Sequence, residues 1–358
     1  MSTEHPPDGI DDRPSLRERG ASSGVSDLVG SLRREMCPTI AEEPGNELAQ
    51  EIAASFAHRD IASVRRFSTG LCHYVFEAAV QGERPLVVRI AKPENERLLA
   101  GAVYWEKRLR TAGIPVARIL HADLKKEQFP FAYLILERLD GNDLEDVYPR
   151  MSSKSQYRLG QQMAAIQSTI AAFPEGATFG DALSYDEPSR YASWQRVVEA
   201  NIETCRGRIQ GDSVLQVADV ALLESAASSL DQEFSKVEAR PFLDDTTTKN
   251  VIVAPSGDLS GIVDVDTVCF GDRLFPLALT RAAFAKLGFD PVYTDAWAAM
   301  SHPDDKESRR LSFYTALFAA ILLSEEGLRF NRTSAVDIGR TGIERLKELF
   351  AAQLKLTV

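Results

Sequence analysis

The hydrophobic period of this chain changes once, near residue 144, and that change restricts the fold to two unlike halves. Before it, residues 64–69, 74–80 and Leu86–Ala91 read as short β-type runs separated by Gly70 and by Gln81-Gly82, and residues 118–122 and 132–137 add two more. Two helical patterns accompany them. One covers Asn46–Ala57; the other, Glu96–Thr111, places Leu98, Ala102, Trp105 and Leu109 three and four apart and stops at Gly113 and Pro115. After the change the pattern is helical over residues 157–172, Trp194–Arg208, 217–237, Phe275–Leu287, 295–300, 308–326 and 335–354. A single β island interrupts it: residues 250–254, a turn at Pro255-Ser256-Gly257, then 259–264. The order predicts an α+β protein of two lobes, a small antiparallel-sheet N-lobe over residues 26–138 and a mainly helical C-lobe over 139–358, joined near residues 137–141. Residues 1–25, rich in Pro, Gly, Ser and charges of both signs, read as a disordered tail.

At 358 residues and 44% hydrophobic content the chain is long enough for two lobes with a cleft between them. A net charge of −11 argues against nucleic acid as a partner, because phosphate backbones demand a basic face. Cys37, Cys72, Cys205 and Cys269 lie far apart without a CxxC pair, so neither a zinc site nor a disulfide framework is expected. The first twenty residues hold no apolar core of a signal peptide, and the longest apolar stretch, residues 311–323, is too short to span a bilayer. These features predict a cytoplasmic protein with no membrane partner; they leave the oligomeric state open.

The β island carries the chemistry. In PFLDDTTTKNVIV, Asp245 precedes Asn250 by five positions, and the run LSGIVDVD that follows ends in Asp264 and Asp266. Carboxylate, amide and carboxylate at the ends of one hairpin are hard oxygen donors of the kind Mg²⁺ takes while keeping phosphate oxygens and waters. Phosphoryl transfer uses such a set: one acid orients the attacking hydroxyl, while an amide and a second acid hold the metal. Asp245 and Asn250 alone would be an ordinary polar turn; a hairpin with Asp264 and then Gly271-Asp272 in order is a stronger pattern.

From about residue 63 to 279 the sequence resembles the aminoglycoside phosphotransferase and choline kinase-like family, whose H-G-D-x-x-x-x-N segment precedes an I-D-x-D strand end and a G-D turn. Here these are Leu243-Asp244-Asp245, Asn250, Ile262-Val263-Asp264-Val265-Asp266 and Gly271-Asp272. The resemblance implies a kinase-like two-lobe fold and ATP- and Mg²⁺-dependent transfer of a γ-phosphoryl group to a small-molecule hydroxyl acceptor such as an aminoglycoside, an amino sugar or choline. It implies Asp245 as catalytic base, Asn250 and Asp264 as metal ligands, Asp266 as a further ligand or a group behind them, and Asp272 as the acid that holds its loop. It further implies that Ser68, Thr69 and Gly70 form the phosphate-covering turn. Arg89, at the end of an apolar strand, takes the place of the phosphate-contacting Lys, with Glu106 on the following helix as its partner. Residues 133–141, including Glu137, resemble the strand whose backbone meets adenine.

Three positions depart from the family pattern: its His is Leu243, its Lys is Arg89, and an Asp after the G-D turn is Pro276. Arg is not a free equivalent of Lys, since it presents a planar bidentate fork. A nucleotide-binding module without turnover is therefore the second reading, and a hydrolase or nucleotidyl transferase on the same scaffold a third. Asp186-Glu187 and the i, i+4 pair Glu199 and Glu203 read either as an acidic welcome for a cationic acceptor or as solvated surface. Cys269 and the Cys72-His73 pair read as structural, because neighbours on a strand face opposite ways.

Overall fold

In the computed structural model, residues 43–67, 72–209, 211, 213–329 and 335–357 are described. The expected tail and the turn residues Ser68, Thr69 and Gly70 lie outside the described residues. Helix α1 (Asn46–Ala57) leads into β1 (Ile61–Arg66), β2 (His73–Val80) and β3 (Leu86–Ala91); α2 (Glu96–Thr111) follows, then β4 (Ile119–Asp123) and β5 (Tyr133–Glu137). The five strands form one antiparallel sheet in the order β1-β2-β3-β5-β4. The middle strand, β3, is apolar except for Arg89, which registers opposite Val75 on β2 and Leu134 on β5. A strand covered on both faces needs such a continuous apolar run, so its one charge must find partners inside the protein.

On one face of the sheet α1 buries Ala49, Ile52 and Ala53 against Phe76, Val88 and Ile135; on the other, Leu99 and Ala102 of α2 pack on Ala91 and Leu134. The C-terminal half of α2 belongs to a different core. Trp105 and Leu109 join the large helical cluster, and the Trp105 indole donates to the Ala182 carbonyl at 2.8 Å. Burying a side chain such as Leu109 contributes about 1.5–3 kcal/mol, so one helix ties the two lobes together.

The second lobe contains β6 (Asn142–Asp143), α3 (Leu144–Val147), α4 (Ser153–Ala171), β7 (Gly180–Ala182), α5 (Trp194–Arg208), α6 (Val217–Ser229), α7 (Asp231–Phe234) and β8 (Arg240–Phe242). It continues with β9 (Val251–Val253), β10 (Leu259–Ile262), β11 (Val268–Gly271), α8 (Phe275–Leu287), α9 (Val292–Ser301), α10 (Asp305–Ser324) and α11 (Arg340–Thr357). The expected island is the β9–β10 hairpin, extended by β6 into a three-stranded sheet. The apolar stretch 311–323 is the inner part of α10, the helix buried at the centre of the lobe, and among the described residues no helix is long and apolar enough to cross a membrane. Asp304 starts α10 through a reciprocal cap with Glu307, at 2.7 and 3.1 Å.

Several features differ from the sequence reading; the helix expected over residues 335–354, for one, starts only at Arg340, and β6 was not expected. The helix expected over residues 217–237 breaks at Leu230 into α6 and the single turn α7. Strands β7, β8 and β11 form a second small sheet in the order β7-β11-β8, which the sequence did not announce. Strands of three or four residues are too short to show a period; only their pairing makes them strands.

Candidate active site

A cleft of about 1090 Å³, counting its open mouth, separates the five-stranded sheet from the β9–β10 hairpin. Val75, Val87, Ile119 and Leu136 line it from the sheet, and Ile252 and Ile262 from the hairpin. Arg89, Glu106, Glu137, Asn250 and Asp264, all expected from the sequence, reach it, as do Phe67, which opens the expected phosphate-covering stretch, and Lys249, which was not expected; Asp245 is not in this lining. The hairpin is tied to the N-lobe where Ile262 N–H donates to the Pro115 carbonyl at 2.8 Å.

The loop between β8 and β9 holds the proposed base. The Asp245 carboxylate accepts from the Thr247 hydroxyl at 2.6 Å and its N–H at 3.2 Å, and the Asn250 amide donates to the Asp245 carbonyl at 3.0 Å. Asp245 opens to solvent on one side, yet the protein packed around its carboxyl removes hydration; this and the negative charge of Asp264 push its pKa above the ordinary aspartate value, against the hydrogen bonds from Thr247. Where the family carries a His, Leu243 is buried, and the loop is braced by Gln167 of α4 instead. Its amide nitrogen donates to the Leu243 carbonyl at 2.8 Å and its oxygen accepts from Leu243 N–H at 3.1 Å. No sequence motif flagged Gln167, because it lies 76 residues away.

Val263 N–H donates to the Asn250 carbonyl at 2.9 Å, which sets Asp264 beside Asn250. Asp264 has φ = +66°, a left-handed conformation that non-glycine residues seldom hold and that Asp tolerates better than most. Among the described residues, neither the second Asp264 oxygen nor the Asn250 side-chain oxygen accepts a hydrogen bond. Two uncommitted hard oxygens on adjoining segments fit a small divalent cation.

Arg89 does not pair with Glu106, contrary to expectation. Glu106 accepts from Ile119 N–H at 3.3 Å and lies 3.4 Å from Arg110, one turn along its own helix. Arg89 instead sets its fork on Asp266, with both nitrogens at 2.6 Å, and its Nη2 also reaches the nearer oxygen of Asp264. His73 Nε2 completes the cluster at 3.0 Å from Asp266. Burial alone would raise the Asp266 pKa, but Arg89 and His73 more than offset it and hold the group below the ordinary carboxylate range. Burial, helped by Arg89, lowers that of His73. Neutral His73 therefore donates from Nε2 to an ionised Asp266, because a carboxylate can only accept. With both oxygens committed, Asp266 is placed behind Arg89 and is absent from the cleft lining, so the expectation of Asp266 as a metal ligand is not met. His73 was missed because its sequence neighbours carry no sign that β2 brings it against Asp266, 193 residues on.

The remaining acids sort by burial. Asp272 holds its loop as expected, accepting from Leu274 N–H at 3.1 Å, Arg310 at 2.7 Å and the Tyr314 hydroxyl at 2.9 Å. Asp181 and Asp244 form a buried pair beside Cys269, which registers with Asp181 across β7 and β11. Loss of hydration raises the pKa of both acids, and the neighbouring Asp181 charge adds to it at Asp244. Glu199 and Glu203 pair with Arg196 and Arg206 on the surface of α5, and Glu187 with Arg97.

The sequence matches the model of the phosphotransferase enzyme family over residues 63–311, more than half of the chain. The chain belongs to the phosphotransferase enzyme family. No curated protein matches it. Solved structures with the fold of this family member include a thermostable mutant of aminoglycoside phosphotransferase APH(4)-Ia in ternary complex with ADP and hygromycin B. The two share 19% identity with a TM-score of 0.61, over 86% of this chain and 98% of that one. The GDP and kanamycin complex of APH(2")-IIia is similar at 18% identity and a TM-score of 0.65, covering 86% and 99%. The apo form of the APH(4)-Ia mutant gives 17% identity and 0.60 over 86% and 96%. The common element is the fold, a small antiparallel sheet over a helical lobe.

Proposed function

We propose that this chain is an ATP- and Mg²⁺-dependent kinase of a small molecule, moving the γ-phosphoryl group to an acceptor hydroxyl in the cleft between the lobes. The observation that carries the reading is that Asn250 and Asp264 line the cleft together with Arg89, while Asp245, outside that lining, is tied to them through its carbonyl, which accepts from the Asn250 amide at 3.0 Å. Asp245, with its raised pKa, orients the acceptor hydroxyl and takes its proton as the O–P bond forms. Asn250 and Asp264 would hold Mg²⁺, which when bound neutralises charge on the phosphates. Arg89 supplies positive charge to them from the sheet, and the apolar walls by Val75, Val87, Leu136 and Ile252 suit a purine. Ser68, Thr69 and Gly70 would cover the phosphates, and the strand end at Glu137 would meet the base. Neighbours of the same fold bind ADP with hygromycin B and GDP with kanamycin, which supports a nucleotide and a polyhydroxylated acceptor here. We place the reaction in the cytoplasm, where ATP is supplied.

The test is product analysis with ATP or GTP, Mg²⁺ and a panel of aminoglycosides, amino sugars and choline. ADP or GDP formed only with an acceptor, and cut about 10²-fold or more by Asp245→Asn, is the expected result. One observation favours a second reading: Arg89 occupies Asp264, as in a nucleotide-binding module without turnover. That reading predicts nucleotide binding and no phosphorylated product with any acceptor.

A further inference from the structure

The fork of Arg89 is the least ordinary feature of the cleft. Both of its terminal nitrogens rest on Asp266 at 2.6 Å, and one of them is shared with Asp264, a residue proposed above to hold metal. A lysine at this place would offer a single point of charge, whereas the planar fork can keep a two-point seat while one nitrogen reaches further. Asp266 is fixed from behind by His73, and the Arg89, His73 and Asp266 side chains are nearly excluded from solvent. The Asp264 side chain is 48% exposed, so it is the only one of the two carboxylates that a solvated ion can approach.

We propose that Asp266, with His73, is a positioning residue that seats Arg89 across Asp264, so that a divalent cation gains Asp264 only when nucleotide phosphates take over the N–H that the shared nitrogen gives to Asp264. A cation approaching alone meets a guanidinium already neutralising Asp264 and is repelled by it. Triphosphate brings the negative charge that lets guanidinium and metal sit side by side, while the two-point seat on Asp266 persists. The inference rests on the nucleotide reading of the cleft but assigns Asp266 a role that reading leaves open.

The experiment is Mn²⁺ titration of the full chain without nucleotide, followed by the electron paramagnetic resonance of free Mn²⁺. For the unmodified chain the expected dissociation constant is weaker than about 1 mM. Arg89→Met combined with Asp266→Asn removes the guard and leaves no unpaired buried charge; it should bind Mn²⁺ at least about tenfold more tightly, and adding Asp264→Asn should abolish the gain. If Asp266 were itself a ligand, the double variant would bind no better than the unmodified chain, and that result overturns the proposal. Tight uptake by the unmodified chain without nucleotide also overturns it, and this arm needs no variant to fold. Acceptor phosphorylation alongside such tight uptake would sink this inference and leave the kinase reading standing. The guard, confirmed by the double variant with no acceptor ever phosphorylated, would do the reverse.

Discussion

Gly101 lies on the buried side of α2, where a Cβ built on its backbone would sit 2.2 Å from the Asp266 carbonyl oxygen and 2.9 Å from Leu183 Cδ2. Gly101→Ala sets two effects against each other. Alanine in a helix interior gains about 1 kcal/mol over glycine, while a methyl forced into a filled space typically costs about 1–3 kcal/mol. The Leu183 methyl can rotate aside, but a backbone carbonyl cannot, so α2 and residues 264–266 must part by roughly 1 Å before the contact is ordinary. We expect a net loss of about 1 kcal/mol. Because the displaced segment carries Asp264 and Asp266, nucleotide affinity should fall by about tenfold if the seat of Arg89 loses 1.4 kcal/mol. Gly207→Ala on exposed α5 is the control, since nothing lies within 4 Å of its added Cβ and only the helix preference acts. Urea unfolding followed by tryptophan fluorescence, together with titration of a fluorescent nucleotide, reads both quantities. If Gly101→Ala stabilises the chain as Gly207→Ala does and leaves nucleotide affinity unchanged, the close approach of α2 to Asp266 does not exist.

Asp272→Ala strands a mostly buried Arg310 and should cost about 3–5 kcal/mol in urea unfolding; adding Arg310→Met should recover most of it, and no recovery would refute the pairing. Glu106→Gln should leave nucleotide affinity within about twofold, because Arg89 is held elsewhere; a tenfold loss in the same titration would restore the expected Arg89–Glu106 pair. The Asp181 and Asp244 pKa values are raised in the folded state, so a proton is retained there that the unfolded chain releases above about pH 4. This contribution is full below that pH and declines as pH rises, by up to about 1.4 kcal/mol per unit for each proton the folded pair retains. Asp181→Asn should therefore gain stability relative to the unmodified chain between pH 5 and neutrality; an unchanged difference in urea midpoint would contradict the buried pair.

Much of the architecture was written in local pattern. The alternation in 74–80, the continuous apolar run of β3 and the three-and-four spacing in Glu96–Thr111 are each set within one element, and those elements form where expected. The same holds for Asn250 and Asp264, which flank the β9–β10 hairpin, because a tight hairpin leaves few ways to place its end groups. The Asp304 cap is legible for a similar reason: donor and acceptor lie three residues apart.

What tertiary structure alone decided was partnership. Arg89 and Glu106 lie on consecutive elements, and pairing them was the local guess, but the fold brings Asp266 against Arg89 from 177 residues away and gives Glu106 to a neighbouring backbone. The loop that holds Asp245 is braced by Gln167 from 76 residues away, and the sheet β7-β11-β8 arises only where segments from distant parts of the chain pair. Sequence determines which residues must be buried and which charges must be satisfied. Which opposite charge satisfies them depends on distances set by packing, and these couple residues with no local relation to one another.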